Sequence, residues 1–446
     1  MDTEEIKKLK QLVCKTIDDN SEKIINFSKS VEKEPELGFK EKKTSGKVKN
    51  IFDEIGLNYK DGLALTGVKA KLKDKYDGIN VAVLGELDAV ICRGNKNTDP
   101  ETGAAHTCGH HLQLGALIGS AIGLKLSGVS GKLDGNVTFM AVPSEECIEF
   151  AYRQKLMQQG KIHFLGGKQE LIYQGEFDDV DIAMMMHSMK NCPNPAVVLG
   201  KSSNGFLAKT IQYIGKAAHA AEAPEQGVNA LNAAMIGLMG VNALRETFKD
   251  EDYIRFHPII TKGGDVVNSI PDDVRIESYV RARTIDAMVK TNKKVDRALK
   301  AGGDAVGAKT VIKTIPGYLP LECSQELSDV YRNNCSGLLP EDSILDGGHF
   351  FASTDMGDVS QLIPSIHPYI GGVSGSLHEK DFNVEDYYAA CVLPAKLFAT
   401  TIVDLLVNGA QKGKDVVENF KPKLSKNEYL KVVNGFNKVI EGEGQW

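Results

Sequence analysis

Residues 79–90 read INVAVLGELDAV, an apolar run from Val81 to Leu84 that ends in Glu86 and Asp88. Such a run, bounded by polar residues, predicts a strand buried on both faces. Two later stretches share the pattern. NVTFMAVPSEE at 136–146 ends in Glu145 and Glu146, and DIAMMMHS at 181–188 ends in His187. Helical patterns separate the three, the clearest over 111–127. Strands alternating with helices predict an α/β fold on a mainly parallel sheet covered on both faces. In such a sheet the carboxyl ends of the strands share one edge, where ligands bind. Polar clusters far apart in sequence therefore converge.

HTCGHH at 106–111 falls between the first two strands, at the mouth of the 111–127 helix, and GSLHEKDF at 375–382 puts His378 just after a late strand. Cys108, His110, Glu146, His187 and His378 thus gather at one edge as candidate metal ligands. Cys108 and His110 are two apart, so in an extended loop their side chains point the same way. A helix N-terminus favours the thiolate, the form that binds metal. Sulfur, imidazole and carboxylate together suit Zn²⁺, with Mn²⁺ and related ions also compatible. Five candidates exceed the needs of one tetrahedral ion, so two divalent metal ions sharing a bridging thiolate use them better. Glu145 and Glu146 are adjacent and point in different directions, so one can hold metal while the other moves a proton. Glu146 is assigned to the metal and Glu145 to the proton, with the reverse order left open. His106 and His111 are open between orienting partners and loop histidines. His367 is a weaker rival to His378, and His163, His257 and His349 are read as ordinary structure.

At 446 residues the chain predicts two domains. Its 42% hydrophobic and 25% charged residues are those of a soluble globular protein. A net charge of -6 argues against nucleic-acid binding. No apolar run is read as long enough to cross a bilayer. The charged start, MDTEEIKKLKQLVCKTIDD, lacks the apolar segment of a secretory signal, so a cytoplasmic setting is expected. Cysteines at 14, 92, 108, 147, 192, 323, 335 and 391 are too scattered for a disulfide framework. The first 60 residues read as two helices broken at EKEPELGFKE. From 205 to 316 the texture becomes β-α-β-β-α-β, a small split βαβ domain. The expected organisation is a catalytic domain of residues 1–204 and 317–446 with an inserted α+β domain at 205–316. Pro394 is expected to kink the last apolar helix, and the charged tail from about 412 reads as surface helix.

The motifs PELGFKE, GELDAV, HTCGHH, VPSEE, MMMHS, GKAAHAA, GGDVVNSIPD, STDMGDVS and SLHEKDF occur in this order. In these the chain resembles the dinuclear metal aminoacylase/carboxypeptidase family over residues 30 to 390. The likeness is to the branch with hippurate hydrolase, auxin-conjugate hydrolases and aminobenzoyl-glutamate hydrolase subunits, and STDMGDVS points to the last of these. The resemblance implies two metal ions in the catalytic domain and an inserted lid that also mediates dimerisation. It implies Cys108 as the bridging ligand, His110, Glu146, His187 and His378 as the others, Glu145 as general base and Asp88 as an acid behind the metals. In the lid it implies His219 as an oxyanion donor reaching the partner subunit's site, with Asn268 and Arg281 holding the substrate's carbonyl and carboxylate. The chain departs from the branch at His111, at Glu86, where some relatives carry a ligand histidine, and in residues 92–105 and 151–175. The last two segments are expected to shape the pocket rim and the acyl pocket.

The function expected is metal-dependent hydrolysis of an amide bond in an N-acyl amino acid, an aminobenzoyl amino acid or a dipeptide. A homodimer through the lid is expected, with a heteromer of related chains open. Two other readings compete: a hydrolase with Cys108 as nucleophile, and a catalytically weak binding subunit.

Overall fold

The computed structural model of the chain describes residues 1–190 and 192–446. It divides into two compact units. The first comprises Met1–Lys201, Glu322–His349 and Asp358–Ser425; the second comprises Ser202–Leu321, Phe350–Gly357 and Lys426–Trp446.

The first unit opens with three helices rather than two: α1 (Thr3–Asp19), α2 (Ser21–Glu32) and α3 (Lys42–Glu54). Asp2 caps α1, accepting from the Glu5 amide at 2.8 Å while Glu5 accepts from the Asp2 amide at 2.9 Å. Asn20, at φ −110°, leaves the helical region and splits the sequence pattern that reads as one helix. Then follow β1 (Tyr59–Leu63), β2 (Gly67–Lys71), β3 (Asn80–Glu86), a short hairpin of β4 (Val90–Ile91) and β5 (Ala104–Ala105), and α4 (His110–Leu126). Next come β6 (Asn136–Val142), α5 (Phe150–Gln158), α6 (Gly167–Tyr173) and β7 (Ile182–Met184).

The main sheet runs β1-β2-β6-β3-β7 and ends on Ser365–Ile366. From β6 onward every pairing is parallel. The β1-β2 edge is antiparallel, which the sequence did not announce because only one end of β1 is buried. β3 and β6 are buried at every position, as an unalternating run requires. Helix α4 lies on β3 and β6, and α1, α2 and the late helix Leu393–Leu406 lie against α4 in turn. Being covered on all sides, α4 is apolar around its whole circumference.

Contrary to the sequence reading, the helical stretch Tyr388–Leu406 is long and apolar enough to cross a membrane by length and composition. Its apolar window is 94% buried within the fold. Pro394 lies within this stretch, just after Tyr388–Val392 forms one wide π turn, the irregularity that accommodates its missing amide.

The second unit contains strands Gly205–Ile214, Arg255–Lys262, Asp273–Ala282 and Lys309–Pro316 with helices α7 (Ala230–Ala243) and α8 (Ile285–Val306), in the order β-α-β-β-α-β. All pairings are antiparallel. Asn229 caps α7 and Thr284 caps α8 through side-chain oxygens. The helices meet at Gly237 and Gly302, where a Cβ on Gly302 would collide with the Ala233 carbonyl and the Gly237 amide. The tail departs from expectation. After helices Gln411–Asn419 and Lys426–Phe436, strand Lys438–Glu441 pairs with Lys309–Pro316 and becomes the edge strand of the sheet. Residues 426–446 therefore belong to the second unit rather than to a catalytic domain running from 317 to 446. A charged stretch hides this strand, because only Ile440 of its residues is partly buried.

Candidate metal centre

Parallel pairing places the ends of β3, β6 and β7 on one edge, and the polar clusters follow from it. Glu86 closes β3, Glu145 and Glu146 follow β6, and His187 follows β7. Cys108 and His110 arrive differently from the expected extended loop. Gly109 between them takes φ 87°, and a Cβ there would strike the Ser188 hydroxyl, so the chain turns sharply into α4. His378 reaches the site at φ 63°, and Ser144 holds φ 55° just before the two glutamates. Strained backbone on both sides of a polar cluster is characteristic of a functional site.

Cys108 is the centre. Its Sγ lies 3.3 Å from His187 Nε2 and 3.2 Å from His378 Nε2. Two donor groups share it: Cys108 with His110 and His187, and Cys108 with Glu146 and His378. A third group, Glu86 with His110 and Glu145, overlaps the first at His110. Within each group the donor atoms lie within 4.8 Å of one another.

The chemistry of this set fits divalent metal. His110 Nδ1 faces the Asp88 carbonyl oxygen at 2.9 Å and His187 Nδ1 faces the Ser188 carbonyl oxygen at 2.8 Å. Each carbonyl can only accept, so each Nδ1 carries the proton and each Nε2 presents a lone pair to the cluster. His110 Nε2 lies 3.0 Å from Glu86 Oε2, and His378 Nε2 lies 3.0 Å from Glu146 Oε1. His110 Nε2 and Glu146 Oε1 are buried without a hydrogen bond of good geometry, one in each of the two donor groups that share Cys108.

The electrostatics agree. Burial and Glu146 push the Cys108 thiol up, yet the three histidines around it bring it down to about 6. Burial raises Glu146, but His378 outweighs it and holds the carboxyl at about 2. Burial disfavours a charged His378, but Glu146 and Cys108 lift it to about 11. Burial keeps His106 and His111 neutral, and likewise His367, which lies beside His187 but belongs to none of the donor groups.

Asp88 stands behind the cluster, accepting from the Glu146 amide at 2.8 Å and lying 3.3 Å from His110 Nδ1. Four supporting side chains were not read from the sequence. Glu41, fully buried, accepts from the Ser144 amide at 2.8 Å and from the Thr66 hydroxyl at 2.7 Å, pinning the turn before Glu145. Burial and the nearby Asp88 push its carboxyl up to about 8. The 151–175 segment supplies two buried cations. Arg153 donates to the backbone carbonyls of Glu146 and Leu165, and Lys168 pairs with Glu86 at 2.6 Å. The 92–105 segment braces the His378 loop through Asn95, which donates to the carbonyls of Lys380 and Phe382 at 3.1 Å each.

His219, Asn268 and Arg281 lie in the second unit. His219 Nδ1 accepts from the amides of Ala221 and Glu222 at 3.3 and 3.1 Å, which turns Nε2 outward as a donor. The Ala220 amide donates to the Asn268 carbonyl at 2.9 Å, so His219 and Asn268 share one end of the sheet. Arg281 lies at the other end. Its guanidinium is flanked by the Phe206 and Tyr279 rings at 5.3 and 5.4 Å, and it donates to Ser353 Oγ at 2.8 Å and His257 Nε2 at 3.1 Å. His257, read as ordinary structure, is therefore a neighbour of the candidate carboxylate grip.

Residues 202–306 match the peptidase dimerisation domain family. Relatives and solved structures that the chain is similar to are named hydrolases, among them peptidases and amidohydrolases of the M20 family. Among its relatives is the Xaa-Arg dipeptidase of Mus musculus, 27% identical over 96% of this chain and 95% of the relative. The fold also matches a dinuclear metal binding peptidase of the M20 family from Bacillus subtilis, at TM-score 0.66 and 20% identity over 86% of this chain and 98% of that one. It matches an aminobenzoyl-glutamate utilization protein from Klebsiella pneumoniae at TM-score 0.65 and 15% identity, over 87% and 97% of the two chains.

Proposed function

We propose that the chain hydrolyses the amide bond of a dipeptide or an N-acyl amino acid, with Cys108, His110, Glu146, His187 and His378 holding two divalent ions, Zn²⁺ or Mn²⁺. The observation that carries this reading is the single sulfur common to two donor groups, the arrangement two neighbouring ions need. Bound there, the ions would polarise the scissile carbonyl and activate water. Glu145 takes the proton from the attacking water and returns it to the leaving nitrogen. Asp88 holds His110 in the tautomer that presents Nε2. His219 donates to the developing oxyanion, and Arg281 grips the substrate's carboxylate with parallel hydrogen bonds. The likeness to a dipeptidase over nearly the whole of both chains favours dipeptides as the first substrates to try.

The reading also requires two copies. A strand rises about 3.3 Å per residue, so Arg281 lies roughly 26 Å along its strand from Asp273, the end near His219 and Asn268. No dipeptide spans that distance, so His219 and Arg281 of one chain serve different substrates. Exposed apolar residues support such pairing. Helix α7 exposes Met235, Ile236 and Met239, and the uncovered edge strand Arg255–Lys262 exposes Ile259 and Ile260. No disulfide joins the cysteines among the described residues, and a reducing compartment is the setting we propose.

The test is a hydrolysis screen of dipeptides with varied C-terminal residues, N-acyl amino acids and aminobenzoyl-glutamate, run with chelated enzyme in parallel. Turnover that stops on chelation and returns with added metal is expected. Turnover that survives in metal-free protein and dies on thiol alkylation would replace the metals with Cys108 as nucleophile.

A further inference from the structure

Lys168 is fully buried, and its ammonium lies 2.6 Å from Glu86 Oε1. The other oxygen of that carboxylate, Oε2, faces the opposite way. It accepts from Gln113 Nε2 at 2.8 Å and lies 3.0 Å from His110 Nε2. Glu86, His110 and Glu145 together form one of the donor groups of the centre. One carboxylate therefore turns one oxygen to a fixed cation and the other into the cage.

The lysine has little freedom to leave. It belongs to the first turn of α6, whose Gly167 amide donates to the Ser144 carbonyl at 3.1 Å, and a Cβ on Gly167 would collide with the Pro143 carbonyl. The next residue, Gln169, donates to Asp358 at 3.1 Å. The turn that carries Glu145 and Glu146 is thus the seat on which α6 holds Lys168.

A buried carboxylate requires a counter-charge. Without metal, Lys168 and the neighbouring His110 both face that carboxylate, and Lys168 holds the Glu86 oxygen turned away from the cage. With metal, two cations share one carboxylate and repel each other through a poorly screened interior. We propose that Lys168 is an internal stand-in cation. It preforms the His110 side of the cage through Glu86 and weakens metal binding there in return. It is a positioning residue, since it acts through Glu86.

The inference rests on the metal-cage reading, and metal titration separates the two. The measurement is Zn²⁺ affinity by competition with a chromophoric chelator, with thermal unfolding of metal-free and metal-loaded protein alongside. Lys168→Met is expected to bind the more weakly held ion at least tenfold more tightly, while its metal-free form melts lower than wild type and its loaded form melts close to wild type. Glu86→Gln is expected to bind at least tenfold more weakly. In the Glu86→Gln background, adding Lys168→Met should change affinity by less than threefold. This double variant buries no lone charge, so it carries the test even where Lys168→Met alone does not fold without metal. Lys168→Met with unchanged or weaker affinity, or a lysine effect that persists in the Glu86→Gln background, overturns the inference alone. Wild-type protein that takes up no metal overturns the cage and the inference together.

Discussion

Replacing Cys108 by alanine tests the centre most directly, because the structure gives that sulfur to both donor groups. Without it one group keeps His110 and His187, and the other keeps Glu146 and His378. Each ion would lose a charged ligand held at about 6 by the surrounding histidines, which is ionised at neutral pH. Even loss of an outer partner that only orients a ligand costs 10–100-fold in metal affinity. Loss of the ligand itself should cost at least about 100-fold per ion, or roughly 3 kcal/mol each. The two losses should also occur together, since the removed atom is shared. Equilibrium dialysis followed by elemental analysis gives the stoichiometry, and chelator competition gives the affinities. Cys391→Ala, which removes a buried thiol far along the chain, is the control. Retention of one ion at wild-type affinity would refute a shared sulfur. Retention of both would remove Cys108 from the centre altogether.

His219→Ala should slow turnover by two to three decades, the roughly 3 kcal/mol of an oxyanion donor, with metal content unchanged by elemental analysis. Glu41→Gln should alter how stability depends on pH. Burial and Asp88 lift the Glu41 carboxyl from its ordinary value to about 8 in the folded chain, so its contribution is complete below pH 4.5 and fades as pH rises through 8. The melting temperature of the variant, relative to wild type, should therefore rise between pH 5 and pH 9; a constant difference would count against a neutral buried Glu41. Met239→Glu places a charge on the exposed apolar face of α7 and should shift the protein to a single copy by light scattering, with loss of turnover.

The sheet and the ligand cluster were legible because both rest on local pattern. Val81–Leu84 and Val137–Val142 show no alternation, which marks strands buried on both faces, and the polar residues ending them must meet on one edge. Cys108 and His110 stood out by type and spacing. What stayed hidden depends on distant partners. Lysine is ordinarily a surface residue, and nothing around Lys168 discloses that Glu86, 82 residues earlier, waits for it in the interior. Arg153 is the same case, since it acts on the backbone carbonyl of Glu146, which has no sequence signature. The break at Asn20 is a backbone angle within a continuous helical pattern. The strand at Lys438–Glu441 exists only because the Lys309–Pro316 edge is there to receive it.

That terminal strand governs how readily one border of the sheet can take up a neighbour. A sheet with two open borders could recruit neighbours on either side and grow without limit. Here the last residues form one border themselves, and that border is only four residues long and carries Lys438 and Glu441 at its ends, a short, charged edge that pairs poorly with a neighbour. Cutting the chain before Lys438 would bare the eight-residue strand Lys309–Pro316 as the border and make that edge more prone to pair with another chain.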